Sequence, residues 1–348
     1  MQENYDPTNA QCLRRPFSVT DDSGHPYDRL KPELILDAVD STGMRTDAHM
    51  LALNSYENRV YQIGIEDKSP VIVKFYRPGR WTDAQILEEH AFTQALADEE
   101  VPVIPPIASA AGTTLYTHEG FRFAVYPRQG GRAPALDDLE SLYILGRTVA
   151  RIHCIGALKE FVERPALDVA TFGVASRELL LAADLMPPDI REDYAVLSEL
   201  LIERLNAAFA GVTVMPLRLH GDLHIGNMLW REDAPHFVDF DDARTGPAMQ
   251  DLWMLLSGPR AMRTRQATEV IEGYREFRDF DLRELALIEP LRTLRLMHHS
   301  AWLAQRWDDP AFPRNFPWFN TESYWREHVV QLTEQLRVLD EEPLQLYP

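Results

Sequence analysis

Cysteine is nearly absent from this 348-residue chain, which has only Cys12 and Cys154. Two widely separated thiols make neither a disulfide framework nor a metal knuckle, so the fold must be held by its core. Also missing is any apolar run long enough to cross a bilayer. The best stretch, 195–217, is interrupted by Glu199, Glu203 and Arg204. The opening residues, MQENYDPTNAQ, hold no basic segment followed by an apolar one, and no signal peptide is expected. A cytoplasmic protein without membrane contact is the expectation. Basic residues are in deficit: 35 Lys and Arg stand against 54 Asp and Glu, for a formal charge of −19. That balance argues against nucleic acid as a partner, because phosphate backbones are bound by excess positive charge. It remains compatible with a basic protein substrate. There is no internal repeat and no low-complexity tract.

What is present is an ordinary globular composition and enough length for two packed lobes. Residues 1–30 read as a polar, turn-rich arm. Residues 32–39 read as a short helix with Pro32 in its first turn. Three strands follow, at 50–53, 59–65 and 71–75, with Asp67-Lys68-Ser69-Pro70 as the turn between the last two. Residues 82–97 read as a helix capped by Thr82 or Asp83, with Ile86, Leu87, Ala91, Ala95 and Leu96 as its apolar stripe. Prolines force 101–106 to run extended, and 113–116 with 121–126 read as a hairpin. The segment PRQGGRAP (127–134) is the clearest punctuation. Beyond it the pattern turns helical, at 137–155, 193–210 and much of 248–340, with short strands near 220 and 240. This gives a β-rich lobe with one main helix (1–126), a hinge (127–134) and a larger helical lobe (135–348).

The helical lobe carries a constellation suited to phosphoryl transfer. Residues 219–230 read LHGDLHIGNMLW, and Asp239 follows Asn227 by twelve positions, at the end of FVDF. The attacking hydroxyl must be oriented and must lose a proton, so a carboxylate has to face the γ-phosphate, and Asp222 is placed for that. Mg²⁺ takes oxygen ligands, typically one or two protein carboxylates plus substrate phosphates. Asn227 and Asp239 are the candidate metal ligands, and Asp239 joins Asp222 at the catalytic centre. His220 reads as a buried scaffold and Gly221 as the residue that permits a tight loop. Asp251 reads as a structural carboxylate at a helix start. Asp241 and Asp242 read as surface or capping residues, and the aromatic-rich 302–325 as core. The pair His298-His299 lacks the spacing of a metal site.

On the third predicted strand, VIVKF, alternation puts Lys74 on the face opposite Val71 and Val73. A lysine there needs anionic partners, namely ATP phosphates and a carboxylate of the next helix. Glu88 and Glu89 are both placed for it, and Glu89 is preferred because Leu96, seven residues on, continues its helical pattern. The link between the first two strands, NSYEN (54–58), contains no glycine. A glycine-rich cradle grips phosphate through backbone N–H groups that need room. Here the Ser55 hydroxyl and the amides of Asn54 or Asn58 are the candidate contacts.

The HGDLHIGN and VDFDD segments resemble the aminoglycoside phosphotransferase and choline kinase superfamily. A closer resemblance, to the bacterial stress response kinase A family, rests on ALNSYENRVYQ (52–62), VIVKFYRPGRW (71–81), QILEEHAF (85–92), LHGDLHIGNMLW (219–230), FVDFDDARTGPAMQDLWMLL (237–256) and DPAFPRNFPWF (309–319). It implies an α+β, bilobal protein-kinase-like fold and a monomeric cytoplasmic Ser/Thr protein kinase. It also implies links to envelope and oxidative stress and to protection from programmed death. The proton acceptor maps onto Asp222, the metal ligands onto Asn227 and Asp239, and the ATP-contacting loop serine onto Ser55. The chain departs from the eukaryotic protein kinase pattern in having His224 two positions after the catalytic Asp and no glycines in the phosphate loop. Two other readings stay open: a kinase of amino alcohols, sugars or aminoglycoside-like antibiotics, and a pseudokinase scaffold.

Overall fold

Segments rich in β-branched and aromatic residues in the first half build a five-stranded antiparallel sheet. The computed structural model describes residues 25–347. Its strands β1 (Thr46–Ala52), β2 (Arg59–Ile65), β3 (Lys68–Phe75), β4 (Tyr116–His118) and β5 (Phe121–Pro127) lie in the order β1-β2-β3-β5-β4. Lys74 stands opposite Val60 on one side and Ala124 on the other. A slip of one residue would turn Val71, Val73 and Phe75 out of the core, so the lysine's position is fixed by its apolar neighbours. Helix α1 (Pro32–Asp40) buries Ile35, Ala38 and Val39 in the core shared with this sheet. Helix α2 (Asp83–Asp98) is capped by Thr82 in a reciprocal box with Gln85, the two bonds being 2.9 and 3.2 Å.

Several expectations shift. The turn between β2 and β3 is the pair Glu66-Asp67, with Asp67 at φ 54, and the strand already begins at Lys68. The first hairpin strand starts at Tyr116 rather than 113. Of the expected arm, residues 1–24 lie outside the described residues. Residues 25–30 are not loose: His25 caps a 3-10 turn, Pro26–Arg29, and Tyr27 is buried in the sheet core, its hydroxyl donating to the Phe75 carbonyl at 3.2 Å. On α2 the apolar stripe is only partly right. Leu87 and Ala91 face solvent, while Glu89, His90 and Thr93 are buried, because this helix turns a polar face inward toward hydrogen-bonding partners.

The helical lobe comprises α3 (Leu139–Gly156), α4 (Ala175–Ala182), α5 (Pro188–Gly211), α6 (Arg260–Tyr274), α7 (Ile288–Gln305), α8 (Ala311–Asn315) and α9 (Glu322–Val338). Helix α5 starts five residues earlier than expected, because Pro188 sits in its first turn, where no N–H is needed. Helices α3 and α6 approach closely. A Cβ on Gly146 would lie 2.0 Å from the Val270 carbonyl oxygen, so only glycine fits. Between α5 and α6 lie two small antiparallel pairs: β6 (Leu217–Leu219) with β9 (Arg244–Gly246), and β7 (Met228–Arg231) with β8 (Ala234–Phe237). Glu232 and Asp233, at φ 51 and 61, close the second pair with a tight turn. Trp302, Phe312, Phe319 and Trp325 are fully buried, as the core reading expects. No helix among the described residues is long and apolar enough to cross a membrane.

Candidate active site

One buried carboxylate holds the loop that joins β6 to β7. Asp251 accepts from the His220 and Gly221 amides at 2.8 Å each, and His153 Nε2 lies 3.1 Å away. It ends a 3-10 turn, Ala248–Asp251, so three N–H groups, not a helix start, meet its charge. Gly221 sits at φ +87, and a Cβ there would come within 2.1 Å of the Asp242 carbonyl oxygen. The loop can pass beneath Asp242 only with glycine. His220 Nε2 donates to the Val238 carbonyl at 2.9 Å, which leaves Nδ1 to accept from the Asp222 amide at 3.4 Å. Burial lowers its pKa, in keeping with a neutral scaffold ring.

The β7–β8 register, with Met228 opposite Phe237, brings Asn227 and Asp239 to the same end of the hairpin. The Val238 amide donates to the Asn227 carbonyl at 3.0 Å. Asn227 Nδ2 donates to the Asp222 carbonyl at 3.0 Å, while its amide oxygen makes no hydrogen bond among the described residues. Asp239 adopts a left-handed conformation, φ 60 and ψ 66, which aspartate tolerates better than most residues.

Lys74 reaches this end of the hairpin from the other lobe. Its Nζ lies 2.8 Å from Asp239 Oδ1 and 3.0 Å from Asp241 Oδ1. Burial opposes its charge, but Asp239, Asp241 and Glu89 outweigh burial and hold the pKa well above its ordinary value. Asp241 and Asp242 are not surface residues. Both are buried, and Arg80 bonds to both, its Nη2 lying 2.9 Å from Asp242. Arg244 lies 2.8 Å from the same Asp242 oxygen. An unpaired buried carboxylate costs several kcal/mol, and the cations supply the pairing. Burial raises Asp241, yet Arg80, Lys74 and Arg164 bring it well below the usual range. Asp242 stays raised, to about 6, because burial outweighs Arg80 and Arg244.

The two helix glutamates point to different places. Glu88 accepts the amides of Val162, Glu163 and Arg164 at 2.6 to 2.9 Å. Glu89 is buried toward Lys74 but makes no direct ion pair with it, and its Oε2 has no hydrogen-bond partner among the described residues. Burial raises its pKa to about 7 despite Lys74 and Arg164. In this structure the ammonium's direct partners are the two aspartates.

Asp222 is buried, 3.4 Å from His224 Nε2 and paired with the Arg295 guanidinium of α7. Burial pushes its pKa up, yet Arg295 and His224 hold it well below the usual carboxylate range. His224 Nδ1 accepts from the Gly226 amide at 2.9 Å, which places the ring proton on Nε2, facing Asp222. Ser55 donates to the Asn58 carbonyl at 3.1 Å, inside its own turn. Asn58 is buried, donating to Asp241 Oδ2 at 3.1 Å and accepting the Arg77 amide at 3.1 Å. Glu57 is buried across the lobes, where Trp302 Nε1 donates to it at 2.8 Å and Arg306 pairs with it.

Arg80, Asp241, Arg295 and Glu57 are the participants that the motif reading leaves out. Signals exist for three of them. Arg80 lies in the apolar-flanked segment FYRPGRW, Asp241 directly follows the FVDF strand end, and Arg295 stands beside the buried Leu291, Leu294 and His298 on α7.

Fold and site together place the chain among the phosphotransferases, and the profile of the phosphotransferase enzyme family matches residues 50–288. Stress response kinase A of Escherichia coli (strain K12) is 46% identical over 326 residues, 94% of this chain and 98% of that protein. A relative from Salmonella typhimurium, named serine/threonine protein kinase RdoA, is 43% identical over 94% of this chain and 99% of its own length. The chain belongs to the stress response kinase A family. Among solved structures, an amicoumacin kinase in complex with AMP-PNP and Ca²⁺ gives a TM-score of 0.69 at 19% identity, covering 91% of this chain and 95% of that one. A microcompartment-associated aminopropanol kinase gives 0.68 at 18% identity, covering 90% and 99%. At these identities the likeness is one of fold.

Proposed function

We propose that this chain transfers the γ-phosphate of ATP to a Ser or Thr hydroxyl of a protein, in the cytoplasm and in response to stress. The observation that carries the reading is the meeting of Asp222, Asn227, Asp239 and Lys74, from both lobes, around one cleft. Asp222 orients the acceptor hydroxyl and takes its proton. Its depressed pKa suits a group that accepts the proton late, after the phosphoryl has largely left ADP. Lys74 binds phosphate oxygens, and Glu89 adds to the negative field that keeps it charged. Asn227 and Asp239 offer hard oxygen atoms at one hairpin end and would hold Mg²⁺, which would supply positive charge beside the nucleotide's phosphates. Ser55 contributes a hydroxyl from the glycine-free loop. The segment 127–134 serves as the hinge, pinned to the helical lobe where Arg132 pairs with Trp230.

One observation supports a protein acceptor: the Salmonella relative bears a serine/threonine protein kinase name. The folds of the amicoumacin and aminopropanol kinases favour the second reading, a small-molecule acceptor. The test is transfer from [γ-³²P]ATP with Mg²⁺ to a generic basic protein and to a panel of small hydroxyl compounds, with Asp222→Asn as control. Label in protein, lost in Asp222→Asn, is expected. Label in a small molecule alone would replace the protein acceptor, and no transfer at all would leave a scaffold.

A further inference from the structure

We propose that Arg295 is a charge-stabilising residue of the phosphoryl transfer, a guanidinium supplied in cis by α7 to the centre of reaction. The inference deepens the phosphotransfer reading and rests on it. Asp222 marks the place of the acceptor oxygen, and the Arg295 guanidinium is bonded directly to Asp222 Oδ1. A guanidinium has five N–H donors in a rigid fork, and the bond to Asp222 engages only Nη1. Arg295 also lines the cavity beside Asp222, with Gly221 and Asp242, and is about a quarter exposed, so the bond to Asp222 does not close it off.

The neighbouring cations have other duties. Lys74 is held by Asp239 and Asp241, Arg80 by Asp241 and Asp242, and Arg244 by Asp242. Arg164 is spent on the carbonyls of Ala243, Gln85 and Asp241. Two positions beyond Asp222 the loop offers His224, whose Nδ1 is occupied by the Gly226 amide. Arg295, whose direct partner is the catalytic carboxylate itself, is thus the permanent cation nearest the acceptor side of the transfer.

During transfer the acceptor oxygen forms a bond to the γ-phosphorus as the bond from that phosphorus to the bridging oxygen breaks. ADP leaves with the bond's electrons, and the acceptor proton passes to Asp222. Charge spreads over the three equatorial oxygens of the moving phosphoryl, and preorganised donors aimed at that charge are worth most in a site that excludes water. Arg295 pairs with Asp222 before the step and donates to the phosphoryl during it.

The experiment compares the full-length parent, Asp222→Asn, Arg295→Ala, Arg295→Gln and Arg295→Lys in [γ-³²P]ATP transfer to a generic basic protein, with folding checked by circular dichroism. Arg295→Ala is expected to lower kcat about 100- to 1000-fold while the KM for ATP stays nearly constant. Added guanidinium ion should restore part of the lost rate, and Arg295→Lys should fall between, as a point charge lacking the fork. Arg295→Gln decides the matter if the alanine variant does not fold. Rates in Arg295→Ala equal to or above the parent, with Asp222→Asn inactive, would make Arg295 a mere clamp on Asp222 and overturn the inference alone. A loss that guanidinium does not relieve and that appears equally in the KM for ATP would make its role one of packing, and would overturn the inference as well. Full transfer by Asp222→Asn would remove the phosphotransfer reading itself, and this inference with it.

Discussion

The loop 220–227 and the loop 54–58 both reach the row of charges formed by Lys74, Asp239 and Asp241, and they are held in opposite ways. The first takes its supports from its own lobe: Asp251, His153 and the Val238 carbonyl. The second adds to the Arg77 amide of its own lobe a set of supports from across the cleft. Glu57 is met by Trp302 and Arg306, Asn58 by Asp241, and the Tyr56 ring lies 4.9 Å from that of Phe316. A loop braced from within keeps its geometry when the lobes shift. A loop anchored across the cleft ties its own geometry to the closure of the lobes.

Removing the internal brace is expected to do the most damage. Asp251→Ala leaves two loop amides and His153 without their buried acceptor and should cost roughly 3 to 5 kcal/mol, read from chemical denaturation. Asp251→Asn retains one acceptor and should cost less. A small loss in the alanine variant would mean that the loop is not held from within. Cutting the cross-lobe anchor comes next. Glu57→Gln keeps an acceptor for Trp302 but removes the negative charge that faces the buried Arg306, for a cost of roughly 2 to 3 kcal/mol. It should also speed nucleotide release in stopped-flow measurements, an effect that Asp251→Asn should not share.

Glu89→Gln sharpens the contrast through pH. Burial pushes the Glu89 carboxyl up to about 7, against an ordinary value of 4.5, so the folded state binds the proton more tightly. Its contribution to stability is complete at low pH and is lost as the pH rises through that window. The glutamine variant should show a flatter denaturation midpoint between about pH 5 and about pH 8. An unchanged slope would mean that Glu89 is already ionised throughout. The smallest effect belongs to Ser55→Ala. Its hydroxyl serves its own turn, so the loss should be about 1 kcal/mol in stability and about tenfold in kcat/KM for ATP. Full activity would reduce Ser55 to a turn residue.

The two-lobed plan and the course of the loop 220–227 are readable in the sequence because both depend on local spacing. The interval from Asp222 to Asn227 fits one loop, and a strand with Lys74 on its fourth position fixes which way that lysine faces. The partners of those residues are harder to see. Arg80 meets Asp241 across 161 positions, and Asn58 meets it across 183. Asp241 reads as a solvated carboxylate because aspartates are seldom fully buried without a partner, and two of its partners, Lys74 and Arg80, lie on another lobe. Arg295 is hidden in the same way, as one of three charged residues on α7 with Glu289 and Arg292, its reason lying 73 positions upstream. Glu88 and Glu89 are not told apart by pattern alone, since adjacent helix positions differ by about 100° of rotation and only the packing of α2 decides which turns inward.

The bond between Lys74 and Asp239 has a thermodynamic consequence. For Asp239 to accept a divalent cation through Oδ1, it must give up an ammonium that is buried and cannot simply return to water. Lys74 then keeps only Asp241 as a direct partner, and a nucleotide's phosphates would replace the one it lost. The two ligands are therefore expected to load cooperatively, each raising the affinity for the other by the same factor. With metal alone or nucleotide alone, the lysine would remain on the aspartate, and the cleft would discriminate against either ligand arriving without its companion.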